Sequence, residues 1–393
     1  MNIFHNKAAV IVTCNNRLAP WLKLEVEALG HKPVRNFSTG VELFLSLKEC
    51  ISLNLKLRCA SQVLYSLKKF RANHPDDVYK NLASVNWEDI LNADDYFSVT
   101  SHVDNPSITT PLYANLKVKD AIVDRIRDKQ GKRPDTGPAT DRAVVHLYWK
   151  DENAEIFLDT SGDTLAKHGF RKIPGKAPML EALASGTLYA SSWDRKSTFL
   201  NPMCGSGTVA IQAALLATNR YPGLYRDNYS FMHLKGFDDA WYKEELRAIM
   251  KAITEVEGLK VIASDISEDA IEVSKTNASL AGVEDIIDFV QCDFRESPVP
   301  EENRGAVFFN PEYGERLGVD TDLEEIYGLI GDFLKKRCGG YAGYVFTGNL
   351  ELAKKIGLKP KRRYEFYSAK IDCRLLEYEL YAGSRTSMPI SPA

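Results

Sequence analysis

The stretch Ser197–Thr218, STFLNPMCGSGTVAIQAALLAT, decides the fold. It opens on a short apolar strand, Ser197 to Leu200, turns through Asn201-Pro202-Met203-Cys204-Gly205-Ser206-Gly207, and continues from Thr208 as an apolar helix. Glycines permit a tight turn there and let a ligand approach the backbone, while the unpaired amides of a helix N-terminus attract a carboxylate or phosphate. No GK[ST] follows, so this is not a P-loop, and the third glycine of a dinucleotide fingerprint is also missing. Taken alone, such a turn can be purely structural.

What lies downstream gives it a setting. Lys260 to Ser264 reads as a strand, Glu268 to Ala281 as a helix, and Ile286 to Gln291 and Ala306 to Phe309 as strands. Leu323 to Lys336 is helical, Tyr341 to Phe346 is a strand, and Arg363 to Ser368 and Leu375 to Tyr381 are β-rich. Strands alternating with helices predict an α/β fold with a Rossmann-like, doubly wound parallel sheet. Arg220 to Gly258 breaks that rhythm and is expected to be an insertion between the first two strands.

The glycine turn and two acidic side chains fall at the C-terminal ends of successive strands, where such a sheet binds its ligand. Asp265 ends VIASD and can accept both hydroxyls of a ribose; Asp293 ends FVQCD and can meet an adenine amine, with Phe294 beside it as an apolar wall. Each alone could be a helix cap, but together they favour a nucleoside. The next strand ends in Asn310-Pro311-Glu312-Tyr313-Gly314-Glu315-Arg316-Leu317. An amine conjugated to a base is a poor nucleophile because its lone pair is delocalised into the ring. The Asn310 amide oxygen and the Pro311 carbonyl can accept from that amine and turn the lone pair toward an incoming methyl group. Tyr313 can stack on a base displaced from its helix.

The front of the chain is different in kind. Lys7 to Cys14 alternates like a strand, Pro20 to Leu29 is an amphipathic helix, and the stripe Leu57, Ala60, Val63, Leu64 and Leu67 predicts a helix over Leu53 to Phe70. A basic helix, Tyr113 to Arg127, precedes the strands Ala143 to Trp149 and Glu155 to Asp159. Residues 1–70 are read as one α+β domain, 71–163 as a second, 164–178 as a linker and 179–393 as the doubly wound domain. At 393 residues, with 44% apolar and 26% charged residues, the chain is a multidomain globular protein and not a disordered one. Its net charge of −3 looks wrong for a nucleic-acid binder, but binding depends on where charge sits. Basic residues cluster at Lys117, Lys119, Arg125 and Arg133, at Lys167, Arg171, Lys172 and Lys176, and at Lys359, Lys361, Arg362 and Arg363. Seven scattered cysteines without a CxxC pair argue against a disulfide framework or zinc site and suggest the cytoplasm. No apolar run is long enough to cross a bilayer, and no metal-ligand cluster is apparent.

The segments NPMCGSGT, RYPGLYR, SDIS, QCDF and NPEYGERL resemble the bacterial large-subunit rRNA guanine-N2 methyltransferases (RlmL-like). ANLKVKDAIVDRI, FLDTSGDTLAKHGFR and KAPMLEALA are similar to that family's ferredoxin-like lead-in and THUMP region. The resemblance implies a class I methyltransferase with S-adenosyl-L-methionine as donor, structured RNA as partner (rRNA, or tRNA as in related enzymes) and guanine N2 as target. It assigns Asn310, Pro311 and Tyr313 to the base, and Asn201, Cys204, Gly205, Gly207, Thr208, Asp265, Asp293 and Phe294 to the donor. Lys117, Lys119, Arg125, Arg133, Lys167 and Arg171 become candidates for RNA contact. Two positions depart from the family: Asn201 stands where an acid is usual, and Glu312 where NPPY has its second proline. Glu312 either only shapes its loop or has become an acceptor itself. A DNA adenine-N6 methylase and a non-catalytic RNA-binding factor remain open as other readings.

Overall fold

Elements are numbered along the chain of the computed structural model, which describes residues 2–108, 110–173, 178–313 and 323–381. They group into two units. One comprises Met1–Asn15, Leu22–Ala166 and Pro222–Lys251; the other comprises Asn16–Trp21, Lys167–Tyr221 and the chain from Ala252 on.

Alternating apolar residues build the first unit around a sheet. Strands β1 (Lys7–Thr13), β2 (Arg35–Phe37), β3 (Gly40–Ser46), β4 (Gln62–Arg71), β5 (Tyr96–Asp104), β6 (Asp135–Thr136), β7 (Ala143–Lys150) and β8 (Asn153–Asp159) form one eight-stranded sheet. Their order is β2-β3-β1-β4-β8-β7-β5-β6, so residues on either side of position 70 share the sheet through the antiparallel β4–β8 pairing. Among the helices beside it are α1 (Ala19–Ala28), α2 (Glu49–Lys56), α3 (Pro75–Ala83) and α4 (Pro111–Gln130). The Thr110 hydroxyl caps α4 by accepting from the Leu112 amide, and Pro111 occupies its first turn. Ala114, Val118, Ala121, Ile122 and Ile126 form its buried stripe.

The helix expected over Leu53 to Phe70 is corrected. It stops at Lys56, and β4 takes over from Gln62. The cause is tertiary. The carboxylate of Glu25, on α1, accepts from the amides of both Arg58 and Cys59, at 2.9 and 2.8 Å, and holds them in a turn. Val63, Leu64 and Leu67 then belong to a strand.

In the second unit the apolar runs are continuous, as suits strands covered on both faces. Along the chain come α5 (Glu181–Ala190), β9 (Phe199–Pro202), α6 (Thr208–Ala217), α7 (Asp239–Lys251, within the first unit), β10 (Val261–Asp265), α8 (Glu268–Leu280) and β11 (Ile287–Gln291). There follow β12 (Ala306–Phe309), α9 (Leu323–Arg337), β13 (Ala342–Thr347), α10 (Leu350–Lys355), β14 (Arg362–Ser368) and β15 (Ile371–Glu379). Every residue of β9, β12 and α6 is buried. The seven-stranded order is β11-β10-β9-β12-β13-β15-β14, parallel from β11 to β13, with β15 antiparallel to both of its neighbours. Leu200, Ile262, Val307 and Phe309 pack with Tyr327, Ile330, Phe333 and Leu334 of α9 into one core. The strand order switches direction between β9 and β12, and ligands bind outside the carboxyl ends of strands at such a point. The expected doubly wound sheet is present. Among the described residues no helix is long and apolar enough to cross a membrane.

The expected insertion, Arg220 to Gly258, lies largely in the first unit. Arg226, in the RYPGLYR segment, fastens it there. Its guanidinium donates to the carbonyls of Ser161 and Asp163 at 2.8 and 2.7 Å and to that of Asn228 at 3.0 Å, and sits over the Tyr229 ring, 4.7 Å from its centroid. Charge-assisted hydrogen bonds contribute about 1.5–3 kcal/mol each. Arg226→Ala is therefore expected to destabilise the protein by about 3 kcal/mol. Urea denaturation would measure it, and a loss below about 1 kcal/mol would mean the anchor is redundant.

Candidate active site

Asn201, Asp265 and Asn310 stand at or just beyond the carboxyl ends of β9, β10 and β12. Three consecutive features shape the turn after β9. The Cys204 amide donates to the Ser264 carbonyl at 2.9 Å, the Gly205 amide to Asp265 Oδ2 at 2.9 Å, and the Gly207 amide to the Cys204 carbonyl at 3.0 Å. Gly205 and Gly207 have φ of 55° and 78°, in the left-handed region. Their environments differ. A Cβ on Gly205 would meet nothing within 4 Å, whereas one on Gly207 would lie 2.9 Å from Ser274 Oγ on α8. Gly205 thus faces open space, and Gly207 lets two helices approach. Burial pushes the Cys204 thiol up to about 12, so it is no nucleophile at neutral pH.

A cavity of about 670 Å³ opens on this turn, bordered by Asn201, Cys204, Gly205, Thr208, Asp265 and Asn310, and by Met203, Ile266 and Glu312. Asp265 spends one oxygen on the Gly205 amide and the other on the Ser267 amide at 3.0 Å. Each carboxylate oxygen still has a lone pair for a ligand hydroxyl. Asn201 is 1% exposed; its Nδ2 donates to the Phe308 carbonyl at 2.9 Å, which ties β9 to β12, a bond a carboxylate could not make. Among the described residues, the Oδ1 atoms of both Asn201 and Asn310 are buried without a hydrogen-bond partner. An unpaired buried acceptor costs about 1–3 kcal/mol. Two on one cavity mark where a ligand's donors belong.

Other expected contributors lie elsewhere. Asp293 and Phe294 do not border the cavity. Asp293 accepts from the Arg295 amide and, through both oxygens, from the Arg295 guanidinium, which holds its carboxyl below the usual range. Phe294 packs edge-on against Phe309 and Phe333 in the core. Ile266, 70% exposed and directly after the strand-end acid, is among the apolar residues that border the cavity. Pro311 is buried off the cavity, and the Tyr313 ring lies against Gly348, whose added Cβ would meet it at 3.0 Å. Gly314 to Leu317, and Pro174, Gly175 and Lys176 of the linker, lie outside the described residues.

Arg171 is corrected as an RNA contact. It is only 10% exposed at its side chain and donates to Glu181 at 2.9 Å, to the Met179 carbonyl at 2.7 Å and to Thr208 Oγ1 at 3.0 Å. Burial lowers its pKa and raises that of Glu181; the pair fixes the segment leading into α5 to the start of α6. Lys117 pairs with Asp76 at 2.7 Å and Arg125 grips Glu88 in a two-pronged contact at 3.0 and 2.6 Å. Lys119 lies 3.4 Å from Asp120. Arg133 and Lys167 are exposed.

Residues 168–377 match the family model for the RMKL-like methyltransferase domain, and residues 72–159 match that of the THUMP domain. The chain is 33% identical over 381 residues to the ribosomal RNA large subunit methyltransferase K/L of Psychromonas ingrahamii, covering 95% of this chain and 50% of that protein. The K/L protein of Syntrophotalea carbinolica is likewise 33% identical, over 94% of this chain and 53% of its own length. The chain thus spans about half the length of the curated relatives it matches. Among solved structures, a protein of Listeria monocytogenes described as a predicted N6-adenine-specific DNA methylase superposes with a TM-score of 0.86 at 27% identity, over 95% of this chain and 97% of that one.

Proposed function

The chain belongs to the RMKL-like methyltransferase family, with a THUMP domain ahead of its methyltransferase domain, and from that premise we propose that it methylates the exocyclic N2 amine of a guanosine in structured RNA, large-subunit rRNA first. The observation that carries the chemistry is the buried, unpaired Oδ1 of Asn310 on a cavity at the switch point of the sheet.

The residues present fit S-adenosyl-L-methionine. Gly205 leaves open space at the turn, Asp265 retains acceptor capacity for ribose hydroxyls, and Asn201 offers an unpaired amide oxygen. When bound, the donor supplies a methyl group activated by its sulfonium. Asn310 Oδ1 accepts from the target amine, so that the nitrogen lone pair leaves conjugation and faces the methyl carbon. The N–C bond forms as the S–C bond breaks, and the nitrogen then releases its proton to water. A large-subunit rRNA transcript treated with enzyme and donor should yield N2-methylguanosine on nucleoside mass spectrometry. N6-methyladenosine as the sole product would overturn the base, and methylation of tRNA alone would overturn the RNA.

RNA capture is assigned to the THUMP domain, with exposed Arg133 as the contact to test. Lys117 and Arg125 serve the fold as well, so their reversal would confound binding with stability. Arg133→Glu is expected to weaken RNA binding and lower the slope of log affinity against log salt by about one. Filter binding from low to high salt reads it; an unchanged slope removes Arg133 from the interface.

A further inference from the structure

Glu312 is exposed, borders the cavity and stands two residues beyond Asn310, whose amide oxygen awaits a donor. The Tyr327 hydroxyl donates to the Glu312 carbonyl at 3.3 Å, which anchors the backbone, while the side-chain carboxylate has no hydrogen bond or ion pair with the described residues. Among the described residues lining the cavity there is no lysine, arginine or histidine to compete for it. The two other acids there are differently placed: Asp265 is engaged with the backbone of the turn, and Asp269 lies in the first turn of α8.

We propose that Glu312 reads the target base, its carboxylate accepting from the N1–H and one N2–H of guanine while Asn310 accepts from the other N2–H. This deepens the guanine-N2 reading and rests on it. Guanine presents two adjacent donors on that edge, which match the two oxygens of a carboxylate. Adenine presents an amine beside the lone pair of N1, and a carboxylate repels that lone pair. Unlike a proline, which can only stiffen the turn, the acid makes this position one that distinguishes the two purines. An amide has the opposite preference: its oxygen accepts from the adenine amine while its NH₂ donates to N1.

The test uses the full chain, an unmethylated large-subunit rRNA transcript and radiolabelled S-adenosyl-L-methionine, with the RNA digested to nucleosides. Wild type should give N2-methylguanosine. Glu312→Gln should lower that product by about 10- to 100-fold, the discrimination typical of a two-point base contact, and raise N6-methyladenosine. Glu312→Pro should lower N2-methylguanosine without the gain in adenine, since proline restores neither contact. Because the Tyr327 bond reaches only the main chain at 312, thermal melting of both variants should match wild type. N2-methylguanosine formed by Glu312→Gln at the wild-type rate would overturn the assignment of Glu312 alone. A wild type that forms only N6-methyladenosine would overturn the guanine reading, and this inference with it.

Discussion

Asn310→Ala is expected to slow single-turnover methyl transfer by on the order of 100-fold or more while leaving the protein folded. The expectation follows from what Oδ1 lacks. It is buried and has no hydrogen-bond partner among the described residues, so truncating it breaks no hydrogen bond of that oxygen with them. Its role begins only when an amine arrives. Removing one preorganised polar contact to a developing charge typically costs about 10²–10³ in rate, and a neutral amine becoming cationic in transfer is such a charge. Asn310→Asp keeps an acceptor and is expected to retain more activity than the alanine variant. Rapid-quench assays with enzyme in excess over rRNA transcript separate chemistry from product release. Transfer by Asn310→Ala within a few fold of wild type would remove Asn310 from the chemistry.

Much of the methyltransferase half was legible because its signals are local. Continuous apolar strands, a glycine turn and polar residues at strand ends follow directly from the physics of a parallel sheet. Contacts between particular side chains were not legible. Whether a carboxylate at a strand end faces the cavity or its own neighbour depends on side-chain geometry, and Arg295, two residues on, claims Asp293. The helical stripe over Leu53 to Phe70 was cut by Glu25, more than thirty positions upstream. Basic clusters were the least reliable signal. Arg171 and Arg125 each have an acid outside their own cluster, Glu181 and Glu88, brought beside them by the fold, so a row of positive letters is not a row of free charges. The RYPGLYR segment carried recognition in the sequence without a visible role; Arg226 gives it one, as an anchor within the first unit.

The two glycines of the turn should respond oppositely to substitution, and this separates a ligand site from a structural bend. Gly205→Val places its side chain in the open space over the turn, where no protein atom lies within 4 Å of the new Cβ. The cost to the fold is the left-handed backbone at φ 55°, about 1–2 kcal/mol for a residue with a Cβ and somewhat more for a branched one. The cost to binding is larger, because a ligand pressed against the backbone has no room to yield. Overpacking a close contact costs about 1–3 kcal/mol, and losing the approach to the turn adds to it, so affinity should fall on the order of 100-fold. Gly207→Ala should do the reverse. Its Cβ would sit 2.9 Å from Ser274 Oγ and 3.3 Å from Ile211 Cδ1, forcing α6 and α8 apart. Its main effect should be a lower melting temperature, with donor affinity reduced only as the turn loosens. Calorimetric titration with S-adenosylhomocysteine, paired with thermal melts, distinguishes the two. If Gly205→Val bound the probe as wild type does, the turn would be a structural bend and the donor would have to lie elsewhere. The Gly207 variant supplies the contrast, since a melt that drops with little change in binding is what a purely structural glycine produces.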